Sequence, residues 1–249
     1  MKAMIFAAGL GTRLRPLTNT LPKALVPIAG RPMLEHVILK LKASGFDDIT
    51  VNIHHLGQQI IDFLKANDNF GVSIHISDER GNLLDTGGGI KKARSFLDND
   101  SEPFLVHNVD ILSNVDLTDL FSHHVASGCK ATVLVSQRQT SRYLVFDAQN
   151  RLCGWINKKT GETKPQDFVY DENQHQCLAF SGIHVLSPEV FRLMEAPCWG
   201  DKFSIIDFYL SACRSINICG YVDSGLQLID IGKPETLVEA EQFINNVLK

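Results

Sequence analysis

The most constraining stretch of this chain is Phe6-Ala7-Ala8-Gly9-Leu10-Gly11-Thr12-Arg13-Leu14-Arg15-Pro16-Leu17-Thr18, with Pro22-Lys23 close behind it. The apolar run from Ala3 to Ala8 is too short for a helix and suits a buried strand that ends in a glycine-rich turn. Glycines at 9 and 11 lack the Cβ atoms that would hold a ligand off the backbone. They also admit φ > 0, so successive N–H groups can converge on an anion. Arg13, Arg15 and Lys23 bring cationic side chains to the same place, and the combination reads as a polyphosphate cradle. Two familiar cradles do not fit. The dinucleotide fingerprint needs a third glycine where this chain has Leu14, and the P-loop needs a Gly-Lys-Ser/Thr that never occurs. Taken alone, the loop also fits an ordinary strand-to-helix turn with solvated arginines.

A chain of 249 residues can bury a substantial core in one domain. Its formal charge of −4 gives no overall pull toward nucleic acid or an anionic membrane, so phosphate binding must come from local arrangement. The six cysteines include no Cys-x-x-Cys pair and read as reduced thiols, several of them in the core. No apolar run approaches the roughly 20 residues that span a bilayer, and the N-terminus runs into Gly-Leu-Gly-Thr-Arg instead of a cleavage site. The expectation is a cytoplasmic protein with neither nucleic acid nor membrane as partner, acting as a monomer or weak homo-oligomer.

From residue 1 to about 137, short apolar runs alternate with amphipathic stretches. Strands are expected at 49–53, 72–76, 104–106 and 131–135. Helices are expected from Gly30-Arg31-Pro32 to Leu41, with proline near the first turn and Met33, Val37, Ile38 and Leu41 as the apolar face, and at Gln58 to Lys65, Gly89 to Leu97 and Leu117 to Ala126, the last capped by Asp116. Strands alternating with helices imply parallel βαβ units, hence a Rossmann-like, doubly wound, mostly parallel α/β sheet. Ligands of such sheets lie beyond the carboxyl ends of the strands, where the Gly9 loop falls and where Asn108 and Asp110 emerge. After residue 138 the pattern changes to a hairpin (143–146 and 151–156), a polar loop (157–175) and a long strand (178–186). Two short helices, strands at 218–222 and 228–231 and a closing helix from Pro234 follow. One domain over 1–249 accounts for this, with halves at 1–137 and 138–249, the second carrying a small antiparallel insertion.

The opening GLGTRLRPLT…PKALVPIAGRPM resembles the signature of sugar-phosphate nucleotidyltransferases, which join a nucleoside triphosphate to a sugar 1-phosphate and release pyrophosphate. LLDTGGGIKKA, HNVDIL, FSGIHVLSPEVF, DKFSIIDFYL and LIDIGKPETLVEAE follow in that family's order, so the resemblance covers essentially the whole chain. It implies that Asp110 and Asp230 hold a catalytic Mg²⁺, and that Arg13 meets the β/γ phosphates of the triphosphate. Lys23 would neutralise the α-phosphate and the incoming sugar phosphate. Ala8, Gly9, Gly11 and Thr12, with Gly87 and Gly88, would offer backbone groups to the nucleotide. Asn108, Gly182 and Asn157 would face the sugar. Such transfer needs positioning and charge neutralisation, and an already ionised phosphate oxygen needs no general base. Within the family the segments point to uridylyl transfer from UTP onto N-acetylmuramate or another N-acetylhexosamine 1-phosphate, as in cell-wall recycling.

Departures from the family pattern gather on the sugar side: Val109 and Leu144 replace frequent glycines, and Asn157-Lys158 replaces a common Glu-Lys-Pro. Guanylyl or cytidylyl transfer onto mannose or heptose 1-phosphate or a phospho-alcohol therefore stays open. A nucleotide-sugar glycosyltransferase would ordinarily carry Asp-x-Asp where this chain has Asn108-Val109-Asp110, and a non-catalytic sensor would be expected to lose Arg13, Lys23 or a metal carboxylate. No hexapeptide repeat occurs, so a fused acetyltransferase is not expected. The histidine pairs 54–55 and 123–124 lack a third ligand at suitable spacing and read as surface or packing residues, as a buried strand position does for His107.

Overall fold

The computed structural model describes residues 1–247. Strand β1 (Lys2–Phe6) leads into the glycine loop, whose return path is three single turns of 3-10 helix at 12–14, 17–19 and 23–25. A two-residue hairpin, β2 (Pro27–Ile28) and β3 (Arg31–Pro32), precedes α1 (Met33–Ala43), whose Met33, Leu34, Val37, Ile38 and Leu41 form one buried face; the helix therefore starts at Met33 and not at the expected Gly30-Arg31-Pro32, because Arg31 and Pro32 are extended and pair with Ile28 and Pro27. Next come β4 (Asp48–Ile53), α2 (Gly57–Ala66), β5 (Ser73–Asp78), α3 (Asp85–Lys92) and α4 (Arg94–Leu97). Strands β6 (Phe104–Asn108) and β7 (Ile111–Ser113) follow. Asp116 then caps α5 (Leu117–Ser127) by accepting from the N–H groups of Thr118 and Asp119 at 2.8 and 3.0 Å, and β8 (Ala131–Ser136) closes the first half.

The second half contains β9 (Arg142–Phe146), β10 (Leu152–Asn157), β11 (Thr163–Lys164) and the long β12 (Gln176–Leu186). Helices α6 (Val190–Met194) and α7 (Ile205–Ala212), strands β13 (Ile218–Val222) and β14 (Leu228–Asp230) and helix α8 (Glu235–Val247) complete it.

Ten strands form one sheet through both halves, in the order β11-β10-β9-β12-β6-β1-β4-β5, with β8 paired to β12 and β13 to β8. The pairs of β1 with β4 and β6, of β4 with β5 and of β8 with β13 are parallel. β12 runs antiparallel to β6, β8 and β9. Side chains alternate between two cores. Ala3, Ile5, Leu105 and Leu134 face the helices α1, α2, α5 and α8, whereas Met4, Phe104, Val106, Val133 and Val135 face α3, α4, α6 and α7. Strands buried on both faces explain why they read as apolar runs instead of alternating patterns. The architecture is the mixed, mostly parallel, Rossmann-like sheet expected, and no helix among the described residues is long and apolar enough to cross a membrane.

Three further local expectations are corrected. Helix α3 begins at Asp85, not Gly89, so the glycines at 87–89 lie inside it. Glycine is poor in a helix, but here the absent Cβ atoms are what let the segment pack. A Cβ at 87 would fall 2.4 Å from the Phe203 ring, and one at 88 only 2.0 Å from the Asp201 carbonyl oxygen. Second, the 157–175 segment holds the short strand β11, paired to β10. Third, not all cysteines are reduced thiols: Cys129 and Cys219 form a disulfide, with Cα atoms 6.2 Å apart, while Cys153, Cys177, Cys198 and Cys213 are free. The pairing of β8 with β13, which sets Thr132 beside Cys219, brings the two together; their distance in sequence gave no sign of it.

Candidate active site

The glycine loop owes its shape to neighbours that strand patterns do not reveal. Gly11 adopts φ +63°, and a side chain there would meet Thr18 at 2.8 Å. The Thr18 hydroxyl donates to the Gly11 carbonyl at 2.7 Å. From the end of β4, the Asn52 carbonyl oxygen accepts from the N–H groups of Ala7 and Ala8, at 2.7 and 3.2 Å, and its amide donates to Glu79 at 2.7 Å. The other Glu79 oxygen accepts from Leu84 N–H at 3.2 Å. Burial raises the Glu79 pKa, opposed by the hydrogen bonds from Asn52 and Leu84. This buried bracket holds the loop against β4 and β5, leaving the 9–13 stretch facing outward. Nothing lies within 4 Å of the position a Gly9 Cβ would take.

Beside the loop the acidic and basic residues meet. Lys23, only 9% exposed, places its ammonium against the Asp110 carboxylate. Asp110 follows β6, and Asp230 ends β14, which pairs antiparallel with β7 so that Asp230 stands opposite Ile111. Ile231 N–H donates to the Asp110 carbonyl at 2.8 Å. A two-strand ladder thus brings together carboxylates from distant parts of the chain. Asp230 is exposed by surface area, yet the groups crowding its wall of the cleft desolvate it. That desolvation, followed by the negative charge of Asp110, raises its pKa against the opposing pull of Lys23, Arg13 and Arg138. Arg13 lies over the next turn of chain: a Cβ at Gly232 would come within 2.7 Å of its guanidinium.

Two adjoining hollows result. One, of about 400 Å³, is walled by the loop from Gly9 to Arg13, Lys23, Asp110 and Gly232. The other, of about 370 Å³, runs from Ala8 and Gly9 past Asn52, Glu79 and Thr86 to Asn108, Asp110 and Lys202. Ala8, Gly9, Gly11, Thr12, Arg13, Lys23, Asn108, Asp110 and Asp230 are therefore gathered at one end of the sheet. Gly182, with φ +74°, belongs to the same end, since a Cβ there would lie 2.9 Å from the Asn108 amide. Gly87 and Gly88 stand apart: both donate their N–H groups to the Phe203 carbonyl, at 2.9 and 3.2 Å, and are buried by that packing. Their contribution is to carry neighbouring Thr86 to the second hollow. Asn157 lies out on the antiparallel arm, its side chain accepting from Lys159 N–H at 3.0 Å.

Asn52, Glu79, Thr86, Lys202 and Gly232 escaped the sequence reading. Only Gly232 carried a usable signal, in the closing Ile-Asp-Ile-Gly segment beside Asp230. His107 is buried, its pKa pushed by burial down to about 4, and His124 is buried between the Thr132 and Ser187 hydroxyls at 2.9 and 3.0 Å, so both serve packing. Among the described residues, no group of three or more His, Cys, Asp and Glu side chains stands ready to hold a metal ion. The two facing carboxylates offer only oxygen donors, whose mutual repulsion a hard cation would relieve, with phosphate and water completing its shell.

Comparison with known proteins bears on what this arrangement serves. The family described as nucleotidyl transferase matches residues 2–247. The N-acetylmuramate alpha-1-phosphate uridylyltransferase of Neisseria meningitidis serogroup B is 35% identical over 97% of this chain and 97% of its own length. The mannose-1-phosphate guanyltransferase of Kluyveromyces lactis is 36% identical over 78% of this chain, which spans 52% of that protein. A crystal structure of a putative glucose-1-phosphate thymidylyltransferase from Bacillus anthracis superimposes with a TM-score of 0.79 over 99% of this chain and 96% of its own, at 22% identity, a likeness of fold.

Proposed function

The chain belongs to the nucleotidyl transferase family, and from that premise we propose that it transfers a uridylyl group from UTP to a sugar 1-phosphate, N-acetylmuramate or another N-acetylhexosamine 1-phosphate, with Mg²⁺ as cofactor. The observation that carries the reading is the convergence of Lys23, Asp110 and Arg13 on one hollow beside an open glycine loop, with Asp230 brought next to Asp110 by the β7–β14 ladder.

The placement of each residue supports the role proposed for it. The outward-facing turn from Gly9 to Thr12 approaches the triphosphate without side-chain obstruction, and Arg13 meets its terminal phosphates. The hollow flanked by Asn52, Glu79 and Thr86 is the place for the base and ribose. Lys23 is tethered to Asp110, so its charge is already positioned where the α-phosphate and the sugar phosphate must approach one another. Asn108, with Gly182 leaving it room, faces the sugar. Asp110 and Asp230 would hold Mg²⁺, which supplies charge neutralisation along the phosphate chain.

The test is pyrophosphate release measured for four nucleoside triphosphates against a panel of sugar 1-phosphates, with and without Mg²⁺. Release is expected only when triphosphate, sugar phosphate and metal are all present, and fastest with UTP. Preference for GTP with mannose 1-phosphate, or metal-independent release, would replace this assignment.

A further inference from the structure

A separate cleft, of about 350 Å³, opens on the sugar half. Strands β9 and β10 run antiparallel, with Leu144 opposite Trp155 and Arg142 opposite Asn157. Opposed residues of an antiparallel pair share a face, so Arg142 and Asn157 stand at the outer end of the same surface that Leu144 and Trp155 floor. Three cations line it: Arg138, Arg142 and Lys164.

Their partners differ. Lys164 is answered by Asp207 at 3.7 Å and lies over the Trp155 ring, 5.3 Å from its centre. Arg138 spends one donor on the Phe180 carbonyl, at 3.0 Å, and makes no ion pair among the described residues. Arg142 makes no ion pair or side-chain hydrogen bond among the described residues. Two guanidinium groups thus face a cleft with no carboxylate of their own, and their planar forks match a carboxylate in bidentate fashion. The cleft also adjoins the reacting end of the molecule: Phe180 lies two residues before Gly182, which packs on Asn108, and the charge of Arg138 is felt at Asp230.

We propose that Arg138 and Arg142 bind a carboxylate carried by the sugar itself, so that the acceptor is an acidic sugar 1-phosphate in preference to a neutral N-acetylhexosamine 1-phosphate. The proposal rests on the nucleotidyl-transfer reading above and narrows it. N-acetylmuramate bears its carboxylate on an ether-linked lactyl group that N-acetylglucosamine lacks, so the two sugars isolate the group in question.

The experiment measures kcat/KM with saturating UTP and Mg²⁺ for N-acetylmuramate 1-phosphate and for N-acetylglucosamine 1-phosphate. It uses the wild type, Arg142→Ala, Arg142→Lys and the double variant Arg138→Ala/Arg142→Ala. The wild type is expected to favour the acidic sugar by at least about tenfold, the scale of a hydrogen bond to a charged group. Arg142→Ala should bring that ratio toward one through a higher KM for the acidic sugar, Arg142→Lys should restore part of it, and the double variant should abolish it. Both arginines are exposed, so folding should survive, and thermal unfolding checks this. A wild type that uses the neutral sugar equally well, or a double variant that keeps the preference, overturns the carboxylate subsite while nucleotidyl transfer stands. Pyrophosphate release from neither sugar overturns the subsite together with the reading beneath it.

Discussion

The two halves of the molecule build their clefts from different materials. Around the glycine loop, the shaping groups are buried and tied to one another: Asn52 to the backbone of Ala7 and Ala8 and to Glu79, Thr18 to Gly11, Lys23 to Asp110. On the antiparallel arm, the cleft is lined by long, exposed side chains, among them Arg138 on the loop between β8 and β9 and Arg142 at the start of β9. A site held by buried hydrogen bonds resists change, because removing one partner leaves another unsatisfied. A site decorated by solvent-facing side chains can be rewritten one residue at a time. In the proposed reading, chemistry belongs to the cleft at the glycine loop, to which the second half lends Asp230, and selectivity to the antiparallel arm, and that division can be tested.

The largest effect is expected where charge meets reaction. Lys23→Ala and Asp110→Ala should each lower kcat for pyrophosphate release by about 10²–10³-fold. Activity near wild type in either variant would break the assignment of chemistry to this half.

Next is the bracket behind the loop. Asn52→Leu strands the buried Ala7 N–H and a Glu79 oxygen and should cost about 2–5 kcal/mol of stability. For a chain of this size that lowers the midpoint of thermal unfolding by several degrees. It should raise the KM for UTP as well, whereas a stability loss with unchanged kinetics would separate scaffold from site.

A third test concerns whether the halves fold as one. His124 in α5 is bonded to Thr132 in β8 and to Ser187 beyond β12, and burial pushes its pKa down to about 4; the likewise buried His184 is pushed down to about 3. Unfolded, each would bind a proton near pH 6.5 that the native state refuses. Stability is therefore unaffected above that pH and falls as pH drops from 6.5 toward 4, by about 1.4 kcal/mol per pH unit for each histidine. Denaturant titrations across this range should show a single transition with that slope, and His124→Gln should remove one proton's share. Two transitions would divide the halves.

The smallest change is expected on the arm. Trp155→Phe should alter the KM for the sugar phosphate by no more than about tenfold and leave the KM for UTP as it was. An equal effect on both substrates would blur the division between halves.

The same contrast explains what was legible in the chain. Strand and helix order in the first half could be read because apolar runs and amphipathic stretches differ in period and length. Asp110, Lys23 and the loop could be found because their residue types declare their chemistry. Asn52 and Glu79 could not, since a polar residue at a strand end resembles any other, and only folding shows that they meet. The start of α3 was misplaced because glycine ordinarily breaks helices; what permits it is a contact with residues 201–203, invisible locally. The disulfide depended on β13 lying beside β8. On the arm, nothing in the sequence singles out Arg142; its register against Asn157 and its lack of a carboxylate partner among the described residues come only with the fold.

The β7–β14 ladder has a consequence for how the protein comes into being. Asp110 is made early in synthesis and Asp230 late, and they become a pair only when β14 adds to β7. Residues flanking that ladder, with Ala240 and Phe243 of α8, belong to the same core as β1. The glycine loop is braced by residues of the first half, whereas the second carboxylate arrives only with β14. The position of Asp230 beside Asp110 is thus a property of the assembled core and not of either segment alone, and a change that unpairs β14 from β7 would part the two carboxylates.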